Sequence, residues 1–272
     1  MKRYPTALTI AGSDSGGCAG IQADLKTFSA LGVFGTSVIT AVTSQNTREV
    51  RGVELLSPSV VELQLRAVLE DIRVDAVKTG MLPSAEIIEV VTGILADYKI
   101  PVIVDPVMVA TSGARLTSAS ISGAFLDRLD SFTLITPNIP EAEALSGIKI
   151  DSVDDMSAAA EILLGRGCRA VLIKGGHLIG ESSTDMLFRL GQHPVSFFSE
   201  HVDTVNLHGT GCTLSSAIAA YMALGNDLAN AVGMAKDYIT SAIKAGASVK
   251  TGHGSGPVNH FFAPEPLKIL DV

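Results

Sequence analysis

The run His208-Gly209-Thr210-Gly211-Cys212 leads straight into a helical pattern over residues 213–224, and its residue types suit phosphoryl transfer. Paired glycines let backbone N–H groups turn inward, and the helix behind them adds unpaired amides and a partial positive charge that favour a phosphate. The residue at the tip is a thiol. At a helix N-terminus its pKa is expected to fall, which would make Cys212 a reactive group or a proton acceptor. The same run also describes an ordinary strand-to-helix junction, so it needs company.

That company comes from polar residues that follow short apolar runs. After residues 7–11 comes the loop Gly12-Ser13-Asp14-Ser15-Gly16-Gly17-Cys18-Ala19-Gly20, with Gln22 and Asp24 in the helix behind it. Such a loop can bring backbone close to a ligand, though a turn with an N-cap accounts for it almost equally well. Gln45 follows the second run, and its amide donates and accepts at once, which suits an aminopyrimidine edge; a polar strand end is the even alternative. Asp105-Pro106-Val107-Met108 puts a carboxylate at a strand terminus, where it could hold Mg²⁺ directly or through water. Thr136-Pro137-Asn138-Ile139-Pro140-Glu141 sets Asn138 and Glu141 around a helix start, with capping by Asn138 as the competing role. Lys174-Gly175-Gly176-His177 ends a further run with a cation and glycines, a place for nucleotide phosphates. Ligands of open parallel sheets gather at this edge, so the set together describes a kinase. No G-x-x-x-x-G-K-[ST] pattern occurs and no G-x-G-x-x-G opens a helix after the first strand, so a P-loop enzyme is excluded.

The elements that must position these residues alternate along the chain. Apolar runs at residues 7–11, 37–42, 76–79, 102–105, 134–136 and 170–174 are brief and rich in β-branched residues, as strands covered on both faces should be. Between them lie helical patterns; Ser57-Pro58 reads as an N-cap with proline at the first helical position, followed by Val61, Leu65, Val68, Leu69 and Ile72 at helical spacing. Residues 186–190 and 195–198 flank Gly191-Gln192-His193-Pro194, which predicts a peripheral hairpin. Helices over 213–224 and 227–245 close the chain around Gly225-Asn226. The pattern predicts an α/β fold with a mostly parallel sheet flanked by helices on both faces, in one domain over residues 1–272.

Composition agrees. With 272 residues, 47% of them hydrophobic, the chain can bury a sizeable core, and a net charge of −8 argues against a nucleic-acid surface. Cys18, Cys168 and Cys212 lie far apart and form no metal-ligand pattern; with a short, soon-broken apolar N-terminus they point to a cytoplasmic protein that spans no membrane.

These motifs resemble the hydroxymethylpyrimidine and hydroxymethylpyrimidine-phosphate kinases of thiamine biosynthesis, in the ribokinase-like group. The likeness extends from Gly20-Ile21-Gln22-Ala23-Asp24 through Thr79-Gly80-Met81-Leu82 to Gly256-Pro257-Val258-Asn259-His260, in addition to the runs above. It implies that Gln45 reads the pyrimidine edge, with Gly12, Ala19, Asp24, Met81 and Val107 around the ring. It implies that Cys212 takes the hydroxymethyl proton while Gly209, Thr210, Gly211 and Cys212 form the anion hole. Asp105 and Glu141 would organise Mg²⁺, Asn138, Lys174, His177 and Lys236 would face ATP, and the enzyme would be a homodimer. Cys18 and Leu207 depart from the family pattern without touching a residue given a chemical role; Cys168 reads as core. A pyridoxal or pyridoxine kinase of the same branch is the nearest rival. A Cys212-centred thioesterase or acyltransferase and a nonenzymatic binding protein are the others.

Overall fold

A computed structural model describes residues 1–107, 119–176 and 182–271. In chain order the first elements are β1 (Lys2–Arg3), β2 (Thr6–Asp14), α1 (Gly20–Ala30), β3 (Phe34–Gln45), β4 (Val50–Leu55) and α2 (Pro58–Leu69). The middle contributes β5 (Ala76–Thr79), α3 (Ala85–Leu95), β6 (Val102–Val104), α4 (Ala119–Leu126), β7 (Leu134–Ile135), α5 (Ile139–Ser146) and α6 (Val153–Gly165). The last part is β8 (Ala170–Lys174), β9 (Ser182–Arg189), β10 (Val195–Glu200), α7 (Thr210–Ala223), α8 (Leu228–Gly246) and β11 (Leu270–Asp271).

Among the described residues one sheet runs in the order β10-β9-β8-β7-β6-β5-β2-β3-β4, and β1 pairs separately with β11. The strands from β8 to β3 are parallel, while β4 and the β9–β10 pair are antiparallel additions at the two edges. The chain goes one way from β2 to β3 and the other way from β5 onward. The crevice at the carboxyl ends of β2 and β5 is therefore the switch point where such sheets bind ligands.

Alternation along the strands loads both faces. Leu8, Ile10, Val104, Ile135 and Ile173 pack into one core, and Ala7, Ile103, Leu134 and Leu172 pack into the other with helices α1, α7 and α8. Each fully buried Leu or Ile contributes roughly 1.5–3 kcal/mol, so these layers fix the strand ends that carry the site.

The structure extends several expected elements. Strand β2 reaches Asp14 through an irregularity between Ala11 and Ser13, and β3 reaches Gln45 because β4 pairs along it. Strand β4 left no apolar signal, since residues 51–55 are exposed on both faces. Helix α7 starts at Thr210, ahead of Thr213, because Gly209 adopts the left-handed N-cap conformation; Asp227 lies just outside α8 and caps it. The hairpin expected over residues 186–190 and 195–198 is present with longer strands, Ser182–Arg189 and Val195–Glu200, and the Ser57-Pro58 helix start is as expected.

Candidate active site

The carboxyl ends of β2, β3, β5, β6, β7 and β8 open onto one cavity of about 1070 Å³. Gly12, Ala19, Gln45, Met81, Val107, Asp105, Asn138, Glu141, Lys174, Lys236 and the run Gly209 to Cys212 all line it. Asp24 does not. Its carboxylate is sealed below the wall, where Lys78 Nζ approaches its two oxygens at 2.9 and 2.8 Å and the hydroxyls of Thr9 and Ser216 donate at 2.5 Å each. Four contacts from three donors occupy this unexposed carboxylate, so Asp24 stands beneath the cavity wall and not among the residues that line it around the expected pyrimidine. His177 lies outside the described residues.

The first loop is organised by Asp14, whose carboxylate accepts the amides of Gly16 at 2.8 Å and of Cys18 and Ala19 at 2.9 Å each. Cys18 is buried with its carbonyl turned toward the second loop: a Cβ on Gly209 would stand 1.9 Å from Cys18 O. Gly209, at φ 83°, is thus required twice, by its backbone conformation and by this contact. Two residues on, a Cβ on Gly211 would lie 3.3 Å from both Asp105 Oδ2 and Lys174 Nζ. Glycine there lets the first turn of α7, with its inward amides and positive end, settle against the charged strand ends. Leu207 sits half-exposed at the cavity mouth, and Cys168 is buried with its pKa pushed up to about 12 by burial.

Cys212 stands in that first turn, and the Gly20 amide is directed at its sulfur. Its pKa does not fall. Burial raises it to about 11; Lys78 and the Gly20 amide pull it down, and Asp24 and Asp105 push it further up. Desolvation of a thiolate outweighs one helix terminus when carboxylates are close by, which corrects the expected depression. His208 is no partner for this thiol. Its Nε2 lies 3.0 Å from Gln45 Nε2, which removes the cysteine–histidine pair that a covalent thioesterase or acyltransferase needs.

On the far side, Lys174 Nζ bonds Asp105 Oδ1 at 3.0 Å and lies 4.0 Å from Glu141 Oε2. Burial lowers the lysine pKa, but Asp105 and Glu141 more than offset it, so the ammonium is raised above its usual value. Asn138 and Glu141 form a reciprocal capping box at α5, each backbone N–H donating to the other's side chain at 2.9 Å. Capping and facing the cavity coexist. Lys236 Nζ pairs with Asp185 at 2.7 Å, with both side chains nearly buried.

The sequence reading missed Lys78, Asp185 and the contact between His208 and Gln45. Only Lys78 left a local trace, as a lysine inside the apolar run Ala76-Val77-Lys78-Thr79. Buried cations need a partner, and that partner was not visible nearby.

A mostly parallel sheet with glycine-bordered helix N-termini at its switch point defines a small-molecule kinase of the ribokinase-like fold. The chain belongs to the phosphomethylpyrimidine kinase family, whose pattern matches residues 14–259. A hydroxymethylpyrimidine/phosphomethylpyrimidine kinase of Rhizobium meliloti is 49% identical over 94% of this chain and 96% of its own. The thiamine biosynthesis bifunctional protein ThiED of Geobacter sulfurreducens is also 49% identical, over 97% of this chain; this chain spans 54% of that longer relative. The crystal structure of phosphomethylpyrimidine kinase from Clostridium difficile superposes with a TM-score of 0.77 at 47% identity, covering 88% of this chain and 99% of that one. Bacillus subtilis pyridoxal kinase, solved as an ADP complex, has a TM-score of 0.87 at 37% identity over 95% of this chain and 98% of its own.

Proposed function

We propose that the chain, as one kinase domain over residues 1–272, phosphorylates 4-amino-5-hydroxymethyl-2-methylpyrimidine with ATP and then phosphorylates the monophosphate to the diphosphate. The observation that carries this reading is the shared cavity: the Gln45 amide and the first turn of α7 open into the same space. Gln45 reads the aminopyrimidine edge, with Gly12, Ala19, Met81 and Val107 around the ring. The hydroxymethyl oxygen bonds to the γ-phosphorus while the bond from phosphorus to the bridging oxygen breaks and ADP leaves. Amides of the Gly209–Cys212 turn take up the charge on the moving phosphoryl group, and the hydroxyl proton passes to the Cys212 sulfur in its thiolate form, a minor form at neutral pH that Lys78 and the Gly20 amide stabilise. Asn138, Lys174 and Lys236 face the nucleotide, in keeping with the ADP complex of the Bacillus subtilis relative.

Asp105 and Glu141 fit Mg²⁺ carried in with ATP. No cluster of three metal-binding side chains exists among the described residues, and Mg²⁺ characteristically takes one or two carboxylates with phosphates and waters for the rest. When bound, it would neutralise charge on the nucleotide phosphates. Lys174, already between the carboxylates, shares that task.

The chain works as a homodimer in the cytoplasm in this reading. Val53 and Leu55 on one face of the β3–β4 edge and Val42 on the other are 40–49% exposed, apolar surface that a second copy would cover. No helix among the described residues is long and apolar enough to cross a membrane.

The deciding experiment is ADP release with hydroxymethylpyrimidine, its monophosphate and pyridoxine as competing acceptors. Both pyrimidines are expected to exceed pyridoxine in kcat/KM; a preference for pyridoxine overturns the assignment in favour of a pyridoxal kinase.

A further inference from the structure

Gln45 and His208 meet from opposite sides of the cavity mouth, with Gln45 Nε2 lying 3.0 Å from His208 Nε2. The imidazole is buried, and burial lowers its pKa against the opposing pull of Asp14 and a hydrogen bond to the Ser255 carbonyl, so the neutral ring is favoured. With Nε2 turned to Gln45, Nδ1 is the nitrogen left to donate to that carbonyl. His208 Nε2 is then an acceptor, and only the NH₂ end of Gln45 can face it. The other end is compatible: the Thr43 hydroxyl lies 3.1 Å from Gln45 Oε1 and 3.1 Å from the Ser13 carbonyl, two acceptors that share its single proton.

The backbones are fixed as well. Gln45 N donates to the Ser15 hydroxyl at 2.9 Å, and His208 N donates to Gly256 O at 3.2 Å. A side-chain amide without such partners would present either end to the cavity. Held from both sides, Gln45 keeps one N–H and an oxygen lone pair side by side, the complement of a ring nitrogen next to an exocyclic amine.

We propose that His208 is a specificity-determining positioning residue: through Nε2 it fixes which way round the Gln45 amide faces the acceptor, and so selects an aminopyrimidine edge over a pyridine ring. This inference rests on the reading of Gln45 given above. His208 touches no reacting atom. It couples the acceptor pocket to the anion turn, because it is the residue immediately before Gly209.

The test compares isosteres. Glutamine at position 208 can place its carbonyl oxygen where Nε2 stands, whereas asparagine reaches only the Nδ1 position. His208→Asn is expected to raise KM for hydroxymethylpyrimidine about tenfold, the scale of one lost hydrogen bond, with the ATP KM unchanged and discrimination against pyridoxine reduced. His208→Gln is expected to restore most of the wild-type KM. In a Gln45→Ala background, His208→Asn should add less than about twofold, because the residue through which it acts is gone. Full additivity of the two substitutions, or equal loss with Asn and Gln, overturns the role of His208. A pyrimidine KM left unchanged by Gln45→Ala alone overturns the reading of Gln45 itself, and the inference with it.

Discussion

Lys78 Nζ and Asp24 Oδ2 meet at 2.8 Å with both side chains fully buried, one helical turn below the anion turn. The placement follows from helix spacing. Asp24 is four residues beyond Gly20 on α1, and Ser216, which donates to Asp24, is four residues beyond Cys212 on α7. Burial pulls the lysine pKa down and Asp24 more than restores it, with Cys212 and Asp105 helping, so the ammonium persists below the thiol.

Lys78→Met is therefore expected to leave Asp24 charged and unpaired, at a cost of roughly 3–5 kcal/mol in urea unfolding. Adding Asp24→Asn should recover much of that loss. Equal stability of Lys78→Met and wild type would show that the pair carries no such strain.

Cys212 should react slowly near neutral pH, because its pKa of about 11 keeps it a thiol. Alkylation at Cys212, followed by peptide mapping, is expected to rise about tenfold per pH unit toward that value, with pyrimidine protecting. A plateau reached below pH 8 would contradict the burial argument.

Turnover separates the two acceptors. The free alcohol must lose a proton as it attacks, whereas the monophosphate is already anionic. Cys212→Ala is expected to cut kcat for the alcohol by roughly 10² to 10⁴, with a smaller loss for the monophosphate. Near-wild-type kcat on the alcohol would leave the cysteine as pocket lining only.

Gly209→Ala combines a left-handed backbone at φ 83° with a Cβ placed 1.9 Å from Cys18 O. Expected are a stability loss of roughly 1–3 kcal/mol and displacement of the anion turn, with kcat reduced on the order of 10² or more. Steady-state kinetics beside a melting curve would separate the two effects, and intact kcat would exclude the turn from the reaction.

His260 is buried beside Thr213, its Nε2 3.0 Å from the hydroxyl, and its pKa is lowered to about 4 by burial, with Lys26 adding to the fall. The folded state holds this ring neutral while the unfolded chain protonates it near its ordinary 6.5. Its stabilising contribution is thus present above pH 6.5 and is lost as pH falls toward 4, by about 3 kcal/mol. His260→Gln should flatten the decline in Tm across that window; a parallel decline would assign the acid sensitivity elsewhere.

The sequence by itself determined the order of the parallel strands, the Ser57 and Asn138 helix starts and the glycine turn at Gly209, because these depend on local conformational preference and short-range periodicity. Strand β4 escaped because nothing buries either of its faces. What only the tertiary structure decided is the electrostatic character of the site. The Cys212 thiol is raised because folding buries it, with the carboxylates of Asp24 and Asp105 from distant segments adding to the rise against the pull of Lys78 and the Gly20 amide. Asp24 left the ligand wall because Lys78, 54 residues away, claims its carboxylate in the core. Gln45 acquires a fixed orientation only when folding brings His208 to it across 163 residues of chain. Burial and long-range charge are sums over neighbours that a linear pattern does not specify.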